Sequence, residues 1–317
     1  MFQLYKKREF NEYINDTFQF FKIHGKHFFK LYFTINGAFL ILATVLIYFI
    51  FKVYFEYIFS SLSGGNVAQQ NNSLGNLFAN NSGSLIVLAV FGILFLVLIS
   101  IVQFAFPILY LDLLEKNKGM NFHTKEMIIA LKQKAFKLIK FVGGFIFILF
   151  PLLIVVFGLN ILLCFIIIGF PLFLITVPAV MSWMHLSFNY YIVGDERFFN
   201  ALSCAYSDIR QQFWPIVLST MLMYIIIQVT NTIITIIPYF IGILFVYTNV
   251  QNQNDTKETF SVIAIIITAV AVVSLITSYI LNNLLLINEG IIYYSRKDVK
   301  ENISSKNSID LIGTESE

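Results

Sequence analysis

Residues 138–183, LIKFVGGFIFILFPLLIVVFGLNILLCFIIIGFPLFLITVPAVMSW, carry one charge, Lys140, near their start and none afterwards. A helix needs roughly 20 mostly apolar residues to cross about 30 Å of hydrocarbon, and this stretch is long enough for two. Gly158, Leu159 and Asn160 divide it into runs from Leu138 to Phe157 and from Ile161 to Trp183, because Gly and Asn accept positive φ in a tight turn. The pair reads as a close hairpin. It either crosses fully or is re-entrant, and the charge pattern is compatible with both. Without water in the bilayer interior, backbone groups must be paired internally, so these runs are helices.

Working outward, four more runs of this kind stand at residues 31–55, 85–111, 214–246 and 260–286. The first two are joined by an uncharged Ser, Gly, Asn and Gln stretch that reads as a flexible loop, and the last two by a polar loop with Asp255, Lys257 and Glu258. The fold class is therefore all-α, a polytopic transmembrane bundle of six spans in three hairpins. It forms a single membrane domain over 1–300, followed by a disordered cytoplasmic tail at 301–317. Hydrophobic residues make up 58% of the 317 and charged residues 12%, against about 25% charge in a soluble domain.

Lys and Arg in the short flanking segments set orientation. Lys6, Lys7, Arg8, Lys22, Lys26 and Lys30 precede the first span, and Lys116, Lys118, Lys125, Lys132, Lys134, Lys137 and Lys140 lie around the second connection. Arg197 and Arg210 separate spans four and five, and Arg296, Lys297, Lys300 and Lys306 follow span six. Of the 21 basic residues, all but Lys52 and Lys257 thus fall on one side, which is the cytoplasmic one. Both termini lie there. The charged first thirty residues lack the core of a cleaved signal peptide. The richness in Phe, Ile, Asn, Lys and Tyr is what an AT-rich bacterial genome tends to encode, and the expected location is the inner membrane.

Each hairpin is preceded by an apolar stripe at helical spacing. In 10–30 it comprises Phe10, Tyr13, Ile14, Thr17, Phe18 and Phe21; in 122–137, continuing to the start of the third span, Ile128, Leu131, Ala135 and Leu138; in 198–213, Phe199, Leu202, Tyr206, Ile209 and Phe213. These segments predict three cytoplasmic amphipathic helices, with Asn11 and Asn200 placed to cap two of them, and hence an internal repeat. Tyr190, Tyr191 and Asp195 after span four echo Tyr293, Tyr294 and Asp298 after span six. Such helices either lie at the headgroup boundary with cations toward anionic lipid, or pack beneath the bundle.

No ionisable group occupies the middle third of any span. Asp112, His185, Asn189 and Glu289 stand at the cytoplasmic rim, where Asp112 and Glu289 are more often helix-end charges than functional acids. Gln103, Gln228, Asn231 and Asn282 are the polar positions within or beside spans, and they fit either interhelical hydrogen bonding or a polar cavity. Of the six prolines, Pro215 suits a first helical turn beside the interfacial Trp214, while Pro107, Pro151, Pro171, Pro178 and Pro238 are expected to kink their helices. Cys164 and Cys204 read as packing residues. His24, His27 and His123 lack a zinc-type ligand pattern, and the chain has no Gly-x-Ser-x-Gly elbow, phosphate loop or His-Glu-x-x-His helix. The expectation is a protein without catalytic residues, cofactor or metal, and without a nucleic-acid partner.

Ile291, Ile292, Tyr293, Tyr294, Ser295, Arg296 and Lys297 close the last span with an apolar pair, two tyrosines and a basic run, with Ser295 where an acid is usual. This ending, with a helix before each hairpin, resembles bacterial polytopic proteins of the glycerophosphodiester phosphodiesterase membrane-domain type. The catalytic domain is absent, so the resemblance implies a membrane fold and no phosphodiesterase activity. The sequence accordingly supports a scaffold or accessory subunit of an envelope complex, contacting the bilayer, anionic headgroups and membrane-protein partners. The alternative is a transporter, channel or lipid-handling protein with a cavity between kinked helices.

Overall fold

The computed structural model describes residues 2–62, 82–166, 169–250 and 256–303. The polar connection after the first span, Asp255 in the last loop and the tail from 304 onward lie outside the described residues. The elements are α1 (Phe10–Leu62), α2 (Ser82–Lys116), α3 (Thr124–Gly144), a π-helical turn (Phe145–Leu149), α4 (Phe150–Cys164), α5 (Gly169–Ile192), α6 (Phe198–Gln211), α7 (Phe213–Val250) and α8 (Thr256–Glu301). Among the described residues there is no strand.

Six stretches are long and apolar enough to cross a membrane: Phe10–Lys52, Val90–Lys116, Thr124–Cys164, Gly169–Ile192, Phe213–Leu244 and Val262–Glu301. Their outward residues are large and apolar, with Phe91 68%, Phe147 80% and Ile265 66% exposed. Exposure on this scale is incompatible with a water-facing surface, and lipid is the solvent that accepts it. The chain is built as an integral membrane protein.

Several expected boundaries move. Residues 10–30 are continuous with the first span in α1, since the change from charged to apolar sequence gives the backbone no reason to break. Likewise α3 runs through the π turn into α4. Gly158, Leu159 and Asn160 do not form the turn; they lie inside α4, where Asn160 Nδ2 donates to the Val156 carbonyl at 2.9 Å. That bond satisfies the amide within the helix and removes its turn-forming tendency. The chain leaves α4 after Cys164 instead, and a Cβ on Gly169 would stand 2.2 Å from the Cys164 backbone nitrogen. Only glycine fits so close an approach.

Asn11 and Asn200 lie inside their helices rather than capping them. Glu12 accepts from the Glu9 N–H at 3.0 Å at the start of α1, and the N-cap of α6 is Arg197. Pro171 falls in the first turn of α5 and Pro151 just after the π turn, positions where a missing N–H disrupts no established bond. Pro107, Pro178 and Pro238 are interior to α2, α5 and α7. Lys257 and Glu258, expected in a loop, open α8.

Within the membrane domain two compact units are distinguished: Met1–Ile35, Ile101–Ile227 and Asn282–Glu317 form unit 1, and Asn36–Ser100 with Gln228–Leu281 form unit 2. Unit 1 has an aromatic core of Phe20, Phe28, Tyr32, Phe106, Tyr110 and Phe122, all without solvent exposure. Their edge-to-face pairs, such as Phe28 with Tyr110 at 5.0 Å, each add about 0.5–1.5 kcal/mol beyond burial. In unit 2 the Tyr279 hydroxyl lies 3.5 Å from both Asn36 Oδ1 and the Ile99 carbonyl, and Asn231 Nδ2 donates to Ser274 Oγ at 3.3 Å.

Candidate functional site

Unit 1 buries an unusual number of polar groups. On α5, Ser182, His185 and Asn189 follow at i, i+3 and i+7, so they share one face, and all three are buried. Asn189 Nδ2 donates to the Glu289 carbonyl at 3.2 Å. From α7, Thr220 Oγ1 donates to Glu289 Oε1 at 2.7 Å and lies 2.6 Å from Ser182 Oγ. Neighbouring Ser219 donates to Asn288 Oδ1 at 3.2 Å. Asn288 in turn donates to the Tyr13 carbonyl at 3.1 Å and to Thr17 Oγ1 at 3.0 Å. Two adjacent residues of α8 therefore tie α1, α5 and α7 together.

Two buried atoms here have no hydrogen-bond partner among the described residues. Glu289 Oε2 and His185 Nδ1 are both buried without a hydrogen bond, and Glu289 has no solvent exposure at all. The His185 ring lies 5.6 Å from Phe104. An unpaired buried polar group costs about 1–3 kcal/mol, more when charged. Two cations further along α8 are taken by another carboxylate: Arg296 Nε and Lys300 Nζ lie 3.1 Å and 3.0 Å from Asp208 Oδ1.

Asp208 centres a second cluster. It is fully buried on α6 and also accepts from the Tyr190 hydroxyl, while Arg296 additionally donates to Gln211 Oε1. Tyr190 and Tyr293, the first tyrosines of the two similar span endings, meet edge to face at 4.9 Å. Nearby, the α5–α6 connection turns at Asp195, whose φ of 55° is unusual for a non-glycine residue. Lys134 and Lys137 reach its Oδ1 at 2.6 Å and 2.5 Å. Hydrogen bonds from Lys134 and then Lys137 hold the Asp195 carboxyl below the usual carboxylate range. Burial raises the Cys204 thiol on α6.

Of the four rim candidates, the structure brings Asn189 and Glu289 into contact and places His185 on the same α5 face. Asp112 is paired with Lys116 at 2.6 Å one turn along its own helix. The four cavity candidates divide two and two between the units, with Gln103 and Asn282 in unit 1 and Gln228 and Asn231 in unit 2. Gln103 is buried, Asn282 half-buried and Gln228 exposed. Sequence reasoning passed over Ser182, Thr220, Asn288, Asp208 and Arg296. The 182–185–189 spacing was readable in advance. Asp208 was hidden because it sits on what reads as the polar face of its helix. No protein-family model matches the chain, and no curated protein or solved structure matches it either.

Proposed function

We propose that the chain is a non-enzymatic protein of the bacterial inner membrane, with both termini cytoplasmic, acting as a scaffold or accessory subunit and gripping anionic headgroups through α3. The observation that carries this reading is the outward face of α3. Ile129, Phe136 and Ile139 are 52%, 68% and 62% exposed there, between the exposed Lys125, Lys132 and Lys140. Lys140 Nζ lies 4.3 Å from the Phe136 ring centroid. Met127, Leu138 and Phe141 on the opposite side are buried. Apolar residues interleaved with cations suit the headgroup boundary, each cation there contributing about 1 kcal/mol with anionic lipid. The basic bias of the other connecting segments and the likeness to phosphodiesterase-associated membrane domains accord with it. A scaffold also suits a site whose polar side chains are mostly spent on joining helices.

Extraction from the native host in a lipid-retaining polymer tests both halves. Anionic lipid should be enriched around the wild type and reduced towards the bulk composition when Lys125, Lys132 and Lys140 are all changed to Gln. Unchanged lipid composition would remove α3 from the reading. Recovery of the protein alone and monomeric would sink the scaffold. A second reading, transport or lipid handling, draws on the bare Oε2 of Glu289 and Nδ1 of His185. Uptake of a solute by vesicles containing the pure protein would favour it.

A further inference from the structure

Among the other buried charges of unit 1, Arg8 lies 2.7 Å from Asp16, Asp208 is paired with the buried Arg296 and with Lys300, and Asp112 has Lys116. Glu289 has a hydroxyl instead. We propose that Glu289 is a proton-binding site, whose carboxyl takes a proton from water on Oε1 and releases it again. The inference is independent of the scaffold reading.

The geometry around Thr220 carries it. Thr220 Oγ1 lies within hydrogen-bond distance of three oxygens: Glu289 Oε1 at 2.7 Å, Ser182 Oγ at 2.6 Å and the Ile216 carbonyl at 3.1 Å. A hydroxyl has one proton to give and two lone pairs to fill. With Glu289 protonated on Oε1, Thr220 accepts from Glu289 and Ser182 and donates to Ile216, using its full capacity. With Glu289 ionised, Thr220 rotates its proton to Oε1 and still accepts from Ser182. The same heavy atoms thus serve both charge states, and only a hydroxyl proton moves. In the ionised state Oε2 stays bare, so that state requires water or a cation to reach the atom, whereas the protonated state tolerates dryness.

Among the described residues no cation is paired with Glu289, and α2, which meets α8 through Leu111 at Gly290, brings Asp112, whose partner is Lys116. From α5 the titratable group is His185, on the face shared with Ser182 and Asn189. From α7 come the hydroxyls of Ser219 and Thr220. On α8 the neighbour is Asn288, which is engaged with Tyr13 and Thr17 of α1, and Arg296 is committed to Asp208.

The full chain in lipid nanodiscs is examined by infrared difference spectroscopy between acid and alkaline choline buffers. At low pH the carbonyl bands of the 18 Asp and Glu carboxyls should include one component, that of Glu289, which is present in the wild type and missing from Glu289→Gln. Thr220→Val should keep the band and displace its midpoint by about 1–2 pH units, the equivalent of one hydrogen bond to a charged group. A difference spectrum identical in wild type and Glu289→Gln overturns the proposal, because the carboxyl then does not exchange its proton. A band abolished by adding sodium chloride also overturns it, in favour of a cation site. Should Glu289→Gln fail to fold, the Thr220→Val midpoint decides alone, and no displacement refutes the role.

Discussion

Replacing Asp208 by Ala tests the ionic cluster most directly. Asp208 has no exposure, and its two oxygens take Arg296, Lys300 and Tyr190. The Arg296 side chain is 3% exposed, so losing the carboxylate strands a guanidinium in a dry setting with Gln211 as its remaining side-chain acceptor. Breaking a buried pair from one side costs about 3–5 kcal/mol. Arg296→Met leaves Asp208 with Lys300 and Tyr190, and we expect about 2–4 kcal/mol, toward the lower part of that range. Lys300 is 35% exposed and its charge is screened, so Lys300→Met should cost no more than about 1 kcal/mol. The assay is detergent unfolding followed by Trp183 emission, since Trp183 Nε1 donates to the Leu202 carbonyl at 3.0 Å and reports on α6 remaining docked to α5. Exposed Trp214, the other tryptophan, is changed to Phe in the background. Equal losses from Lys300→Met and Arg296→Met, or an Asp208→Ala loss below about 1 kcal/mol, would refute the assignment of Asp208 as a buried ionic hub.

The same assay ranks the glycines. Gly169→Ala drives a Cβ to 2.2–2.6 Å from Cys164 and Leu163 backbone atoms, which no rotamer relieves, and should cost more than Gly290→Ala, whose nearest contact is the rotatable Leu111 Cδ1 at 2.4 Å; the latter should lose about 1–3 kcal/mol. Asn288→Leu removes bonds to Tyr13, Thr17 and Ser219 together and should lose about 2–4 kcal/mol, with α1 becoming more susceptible to proteolysis. For Asp195 the carboxyl is lowered in the folded state, so its contribution is present above the usual carboxylate value and is lost as pH falls through the lowered one. Asparagine tolerates the same φ, so Asp195→Asn isolates the charge. Its thermal midpoint should lie slightly below the wild type at neutral pH, and the gap should close as pH falls through the lowered value. The side chain is 62% exposed, which holds the gap under about 1 kcal/mol.

The spans were legible because hydrocarbon imposes length and apolarity so strictly that few alternatives remain. Breaks were not, because a helix can end its polar character without ending its backbone: α1 passes through Lys22, Lys26 and Lys30 into the apolar run unbroken. Gly158 and Asn160 carried a turn signal that a single bond to Val156 cancels. In the site, a shared face for His185 and Asn189 followed from spacing alone. That Glu289 lies fully inside could not be read the same way, because a residue three positions beyond an apolar run is a helix-end charge by default. Only the packing of α5 and α7 around it makes it buried. Asp208 shows the converse case. Periodicity assigned it to water, yet Arg296 and Lys300 from 88 and 92 positions further along the chain neutralise it.

The contrast between Asp208 and Glu289 is an internal control on what burial means in this protein. Both are carboxyls of unit 1 without solvent exposure, and both accept a hydrogen bond from a hydroxyl. One is paired with Arg296 and Lys300, and those ion pairs hold helices in place. The other is given Thr220, a group that serves as donor or acceptor, together with a second oxygen left empty. A chain under selection for packing alone has an economical substitute at 289, since glutamine keeps the shape and supplies its own donor. An acid at that position, when Arg296 and Lys300 of the same helix are turned to Asp208, has chemical value chiefly through its exchangeable proton.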